Sequence, residues 1–276
     1  MQHFIVIGNP IAHSKSPDLH HTFADSVGLD ISYRRQLCPD DKDSFHAVVE
    51  AFFNGGGVGA NVTLPFKEIA FELCSQTGSL SEYATTAKAV NTLALRDGKL
   101  FGDNTDGRGL VADLLDEGVT LQGAHIAIIG AGGATRGAIL PLIEQGARLT
   151  IFNRTLARAE ALKADFEEFG SIDINELHTL KSGDFYADVI INATSATTTG
   201  QTLELSDGVR AGFAYDMMYG KPSEFLAHFD RQGVRCCDGY GMLIQQAKLA
   251  FELWTGKRID LDKVDWDKYI NNKINS

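Results

Sequence analysis

The sequence predicts an α/β protein of two units, and three observations carry that prediction. Short apolar runs of strand length alternate with segments of helical spacing along the chain. A length of 276 residues, 44% hydrophobic, suits one large or two modest domains with a buried core. Between His125 and Thr155 the chain reads HIAIIGAGGATRGAILPLIEQGARLTIFNRT. That stretch is an apolar run, the glycine-rich turn Gly130-Ala131-Gly132-Gly133-Ala134-Thr135, a helix-like segment to about Gln145, a break at Gly146 and a second apolar run ending at Phe152. Strand, glycine turn, helix and strand in that order are the layout of a Rossmann-like unit that binds a dinucleotide. Glycine lets the backbone turn tightly and approach a pyrophosphate, whose charge is stabilised by free N–H groups at the helix start. Thr135 stands where the third glycine of G-x-G-x-x-G is expected, so a purely structural strand-to-helix turn stays open as an alternative.

Taken in order, Phe4 to Gly8 is a short buried strand. The loop Asn9 to Pro17 follows, with Ser16 as a helix N-cap and Pro17 at the first position of a helix running to about Val27. Ser14 and Ser16 bracket Lys15, so the two hydroxyls either cap or hold a small anion. Ile31 to Leu37 alternates as a strand, and Phe45 to Phe53 has helical spacing. After the glycine-rich break at 54–59 comes Ala60-Asn61-Val62-Thr63-Leu64-Pro65-Phe66-Lys67. Period-two alternation puts Asn61 and Thr63 on one strand face. Pro65 is expected to open the next helix with Lys67 in its first turn, where the positive end of the helix dipole disfavours a cation. That placement suits a proton donor and acceptor; a solvated surface lysine is the alternative. Asn91 to Gly102 reads as a hairpin around the Asp97-Gly98 turn. Asp106 heads the next helix, as a cap or as a functional acid.

In the second unit, the strand after the glycine turn ends in Asn153-Arg154-Thr155, with Arg158 one turn on. A fold of this type specific for NAD puts an acid there to bond the ribose 2′-hydroxyl. Two arginines instead point to a 2′-phosphate, and so to NADP, with a solvated helix start as the alternative. Further strands are expected at Phe185–Ile191, leading to Asn192-Ala193-Thr194-Ser195, at Gly212–Met218 and at Val234–Cys237. Helices are expected at Ala157–Phe169, Ser223–Gln232 and Leu243–Thr255, and a last surface helix over Lys257–Ser276, which contains Trp266 and Tyr269.

Composition sets limits on function. A net charge of −11 argues against general nucleic-acid affinity. No apolar run reaches the roughly 18 residues of a membrane span, and Met1 to Ile7 reads as a strand rather than a signal peptide. Cys38, Cys74, Cys236 and Cys237 form no ligand spacing and read as buried free thiols of a reducing cytoplasm. No metal site is expected.

Nine stretches in register resemble the shikimate dehydrogenase family. They are Asn9 to Pro17, Asn61 to Lys67, Ala89 to Thr92, Asn104 to Gly107, Gly130 to Thr135, Asn153 to Thr155, Asn192 to Ser195, Tyr215 to Tyr219 and Asp238 to Met242. The resemblance implies an oxidoreductase of aromatic amino-acid biosynthesis, reducing 3-dehydroshikimate to shikimate with NADPH. It implies a substrate-binding and catalytic domain at 1–105, completed by C-terminal helices at 240–276, an NADP-binding Rossmann-like domain at 106–239, and an active site in the interdomain cleft.

Carried over by position, Lys67 and Asp106 are the acid–base pair. Ser14, Ser16 and Tyr219 hold the substrate carboxylate, and Asn61, Thr63, Asn91, Asp106 and Gln246 surround the ring hydroxyls and reacting carbonyl. Gly130, Ala131, Gly132, Gly133, Ala134, Asn153, Arg154, Thr155, Arg158, Thr194, Met217 and Gly239 bind NADP, with Glu82 carried over from a less distinctive stretch. The expected partners are the small-molecule substrate and cofactor, without nucleic acid or membrane, in a cytoplasmic monomer or homodimer. Tyr240 stands where leucine is frequent in the family, and Gly137 where alanine is usual. The rival readings are a quinate/shikimate dehydrogenase of broader specificity and a non-catalytic NADP-binding sensor. Arg154 speaks against NAD preference in the first, and retention of Lys67 and Asp106 speaks against the second.

Overall fold

The computed structural model describes residues 1–196 and 203–267. The chain divides into one unit of Met1–Thr105 with Gln246–Ser276 and another of Asp106–Gln245.

The first unit is built on a six-stranded sheet of order β2-β1-β3-β5-β6-β4. Its strands are β1 (Gln2–Gly8), β2 (Ile31–Leu37), β3 (Gly59–Val62), β4 (Ser79–Leu80), β5 (Thr92–Arg96) and β6 (Lys99–Asp103). β1 runs parallel to β2 and β3, whereas β5 is antiparallel to β3 and β6. Helices α1 (Ser16–Ser26), α2 (Lys42–Asn54), α3 (Lys67–Thr77) and α4 (Glu82–Ala87) connect them. Alternation along β1 sends Ile5 and Ile7 into a core shared with Phe45 and Val49 of α2, Val62, Phe66 and Leu93. Phe4 stacks with Trp254, which also lies against His20 and Tyr33; His20 and Tyr33 stack at a centroid distance of 4.4 Å. Trp254 belongs to the helix Tyr240–Thr255, and its indole N–H donates to the Leu93 carbonyl at 2.9 Å.

The second unit holds β7 (His125–Ile129), β8 (Arg148–Asn153), β9 (Ile172–Glu176), β10 (Phe185–Asn192), β11 (Val209–Asp216) and β12 (Arg235–Asp238). They form one wholly parallel sheet of order β12-β11-β10-β7-β8-β9. In chain order this is 3-2-1-4-5-6 read from the β9 edge, the doubly wound Rossmann arrangement. Helices α5 (Asp106–Asp116), α6 (Gly133–Glu144) and α7 (Leu156–Asp165) belong to this unit, as does the helix Glu224–Asp230. A methyl group at Gly107 would meet the Gly137 carbonyl oxygen at 1.9 Å, so α5 and α6 touch backbone to backbone where two residues have no side chain.

Several elements differ from the sequence expectation. Pro65 does not open α3; it lies in a turn after a cis Leu64–Pro65 bond, and the helix begins at Lys67. Thr63 sits one residue past β3 rather than inside a strand. α7 stops at Asp165, short of the expected Phe169, and Phe166 at its end is fully buried. β4, α4 and β9 are additional to the expected elements. β11 starts at Val209 and ends before Met217. The last long helix starts at Tyr240, three residues early, where the Asp238 carboxylate accepts the Tyr240 N–H at 3.1 Å. Its end at Thr255 is followed by Gly256 at φ +65°, then by irregular chain and a 3₁₀ turn, Leu261–Lys263; of the helix expected over Lys257–Ser276, Trp266 and Asp267 are helical and the rest after 267 lies outside the described residues. Tyr269 lies outside the described residues. Cys38 and Cys74 are buried, but Cys236 and Cys237 are only half-buried.

Candidate active site

In the first unit three of the polar residues singled out from sequence, Asn61, Asn91 and Gln246, join one hydrogen-bonded cluster beside β3 and β5. Asn61, the third residue of β3, is buried and its amide makes three hydrogen bonds. Its Oδ1 accepts the Tyr33 hydroxyl at 2.7 Å, and its Nδ2 donates to the Asn91 carbonyl and to Thr92 Oγ1, both at 3.2 Å. Asn91, just ahead of β5, accepts the Thr105 N–H and the Thr92 hydroxyl on its Oδ1. Its Nδ2 donates to Thr105 Oγ1 at 2.9 Å and reaches Gln246 Oε1 at 3.5 Å. One hydrogen-bonded run therefore joins Tyr33, Asn61, Thr92, Asn91, Thr105 and Gln246. A buried polar cluster is stable only when its members satisfy one another, and here they do. Tyr33 lies outside the nine family-like stretches singled out from the sequence, and Thr92 and Thr105 lie within two of them without an assigned role, because partners on different strands have no fixed spacing along the chain.

Lys67 stands at the start of α3, half-buried, and its carbonyl accepts the Val90 N–H at 2.9 Å, which ties the helix start to the residue before Asn91. Thr63 donates its N–H to Ile7, continuing the β1 pairing past β3. Ser16 is not the cap of α1: Lys15 occupies that position and no side chain caps the helix. Ser16 is buried, and its N–H donates to Ser14 Oγ at 3.4 Å. Burial raises the Tyr33 hydroxyl well above the ordinary tyrosine range, so it stays a neutral donor. Glu82, exposed at the first turn of α4, belongs to this unit rather than to the one carrying the glycine turn.

In the second unit the glycine turn lies between β7 and α6, beside the point where the strand order reverses from β7 to β10. Gly130 takes φ +110°, and a methyl group there would lie 3.1 Å from Thr194 Cγ2, so the turn itself demands glycine. Thr135, in place of the third glycine, is fully buried and closes the turn by donating its hydroxyl to the Gly130 carbonyl at 2.8 Å. Gly132 and Gly133 are different. A methyl group at either would meet no protein atom within 4 Å, and no side chain caps α6. Packing does not require glycine at these two positions, whereas a pyrophosphate lying on the helix start does. The residues fit a dinucleotide.

Arg154, Thr155 and Arg158 are exposed beyond β8, and Asn153 Nδ2 donates to the Thr155 carbonyl at 2.8 Å. Among the described residues neither arginine enters an ion pair, whereas Arg136 is paired with Asp165. Thr194 is fixed by Asn192, whose Oδ1 accepts both its N–H and its hydroxyl. Met217 lies past the end of β11, and a methyl group on Gly239 would meet its carbonyl oxygen at 2.3 Å. Tyr219 is half-buried, edge-on to Tyr240 at 5.9 Å, and its hydroxyl is raised by burial and then by Tyr240 and Asp238. Asp106 is the first residue of α5, half-buried, in this second unit. No group of three or more His, Cys, Asp or Glu among the described residues is placed to hold a metal ion. No helix among them is long and apolar enough to cross a membrane.

Comparison with known proteins converges with this geometry. Residues 6–93 match the shikimate dehydrogenase substrate binding domain, 112–205 match shikimate/quinate 5-dehydrogenase, and 239–265 match the shikimate 5′-dehydrogenase C-terminal domain. The chain is 56% identical to the NADP⁺ shikimate dehydrogenase of Psychrobacter cryohalolentis, over 94% of this chain and 95% of that one. Among solved structures, the Ael1 enzyme from Pseudomonas putida superposes with a TM-score of 0.88 at 37% identity, covering 96% and 97% of the two chains. The shikimate 5-dehydrogenase of Thermus thermophilus, solved with NADP(H) and shikimate, superposes at 0.82 and 32% identity over 99% of both chains. With these matches covering both units in order, the chain belongs to the shikimate dehydrogenase family.

Proposed function

We propose that this chain is a cytoplasmic NADP-dependent shikimate dehydrogenase, catalysing the reversible reduction of 3-dehydroshikimate to shikimate. The observation that carries the reading is the hydrogen-bonded run through Asn61, Asn91 and Gln246, backbone-tied to the start of α3 where Lys67 stands. A polyhydroxylated acid is recognised by such fixed amides and hydroxyls, because a substrate lacking one group leaves a buried partner unpaired.

In this reading the first unit is the substrate and catalytic domain and the second binds NADP. Ser14, Ser16 and Tyr219 take the substrate carboxylate. Asn61, Thr63, Asn91 and Gln246 take the ring hydroxyls and the carbonyl. Lys67 gives a proton to the carbonyl oxygen as negative charge develops on it, and takes that proton back in the oxidation direction. Asp106 is the second member of the acid–base pair and accepts a hydrogen bond from the substrate hydroxyl. Gly130 to Ala134 cradle the pyrophosphate, Asn153 to Thr155 and Arg158 take the 2′-phosphate and ribose, and Thr194, Met217 and Gly239 border the nicotinamide, with Glu82 a further contact. Bound there, NADPH supplies the hydride.

The test is shikimate oxidation with NADP⁺, followed by the near-ultraviolet absorbance of the reduced cofactor, beside quinate and NAD⁺ controls. Turnover of shikimate with NADP⁺ is expected. Its absence would remove the reading, and faster turnover of quinate or with NAD⁺ would replace it by the broader relative.

A further inference from the structure

β2 is the outer strand of the first sheet, paired only with β1, and Arg35 is exposed near its end. An exposed arginine on an outer strand is ordinarily a solvated charge. This one is bound at two points. Its Nε and Nη2 both donate to the Ser14 carbonyl oxygen, at 3.0 and 2.7 Å, and Nη2 lies 3.9 Å from the Asp18 carboxylate in the first turn of α1. The guanidinium thus bridges the end of the loop that carries Ser14 and the start of the helix that carries Ser16.

What else holds Ser14 is local and weak. Its N–H donates to Ile11 within the loop at 3.1 Å, and its Oγ accepts the Ser16 N–H at 3.4 Å. No side chain caps α1. The hold that a capping side chain would supply comes instead from the neighbouring strand, where a planar fork grips one carbonyl with two donors. The other end of the loop hangs on the residue just past the same strand, since Asn9 Nδ2 donates to the Cys38 carbonyl at 3.0 Å.

We propose that Arg35 is a positioning residue for the substrate carboxylate: it fixes the Ser14 backbone and so the spacing of the Ser14 and Ser16 hydroxyls, without itself touching the substrate. This inference rests on the reading of Ser14 and Ser16 as the carboxylate site.

The test compares Arg35→Ala, Arg35→Lys, Ser14→Ala and the Ser14→Ala/Arg35→Ala double variant of the whole enzyme in NADP-dependent shikimate oxidation, with thermal midpoints measured alongside. Arg35→Ala is expected to raise KM for shikimate about tenfold, with kcat and KM for NADP⁺ within about threefold of the parent. Arg35→Lys should recover part of the loss, because it keeps the charge and one donor but not the fork. The double variant should be no worse than Ser14→Ala alone, since both changes act through Ser14. The inference is overturned if Arg35→Ala leaves KM for shikimate unchanged while Ser14→Ala raises it, or if the two effects multiply. It is also overturned if KM for NADP⁺, kcat and the thermal midpoint all worsen together with KM for shikimate, which is the mark of a purely structural residue. A Ser14→Ala variant with unaltered KM for shikimate would instead remove the carboxylate reading itself, and this inference with it.

Discussion

Two side chains carry sharp expectations at the scale of single residues. Lys67, at the head of α3, is the group proposed to give its proton to the carbonyl oxygen, and positioned acids of this kind contribute ~10²–10⁴-fold. Lys67→Ala should lower kcat by that order while leaving NADP binding intact, as measured by turnover beside a fluorescence titration with the cofactor. Near-parental turnover would show that another group supplies the proton. Arg154 is exposed and enters no ion pair among the described residues, so its charge is free for an incoming anion. Arg154→Ala should weaken NADP by about tenfold or more and NAD hardly at all, through loss of a charge-assisted bond of roughly 1.5–3 kcal/mol. Equal losses for the two cofactors would exclude a 2′-phosphate role.

The strand–turn–helix element separates what folding needs from what a ligand needs. Gly130 has a left-handed φ and a crowded methyl position, whereas Gly133 opens α6 with free space around it. Gly133→Ala should therefore leave the thermal midpoint unchanged or slightly raised, as a helical glycine-to-alanine change stabilises by ~0.4–1 kcal/mol where the backbone is compatible. The same change should weaken NADP by obstructing the approach of the phosphates. Gly130→Ala should lower the thermal midpoint. A Gly133→Ala enzyme that melts earlier yet binds NADP normally would reverse this assignment and make the turn merely structural.

Stability of the molecule as a whole carries a pH signature from one buried ring. His20 is fully enclosed among Phe23, Tyr33, Phe251 and Trp254, and burial depresses it from 6.5 to about 3, with Asn61 acting in the opposite direction. A depressed histidine stays neutral in the fold but takes up a proton when the chain unfolds below pH 6.5. Its stabilising contribution is thus present above 6.5 and is lost as pH falls toward 3. Between pH 7 and 5 this amounts to about 2 kcal/mol. Urea denaturation at the two pH values should show that loss in the parent and a smaller one in His20→Phe, which keeps an aromatic ring in the layer. Equal losses in both would place the acid sensitivity elsewhere.

Much of the nucleotide-binding unit is legible in the sequence, because its signals are local. The glycines at 130, 132 and 133, the apolar runs on either side and the Asn153-Arg154-Thr155 end of β8 are short stretches whose backbone conformation and chemistry follow from the residues themselves. The candidate substrate residues are legible as motifs, but not as a site. Nothing in residue spacing says that Asn91 meets Gln246 across 155 positions, that Tyr33 fixes the Asn61 amide, or that Arg35 holds Ser14. Nor does spacing settle where Pro65 or Thr63 falls, since a turn between a strand and a helix is decided by what both elements pack against. The sequence by itself determined the α/β class, the dinucleotide turn and the residue types available for the chemistry, because these depend on local periodicity and side-chain chemistry. Strand order and the partners of each polar group were decided only by the tertiary structure, because a hydrogen bond between strands depends on register, and register is a property of the assembled sheet.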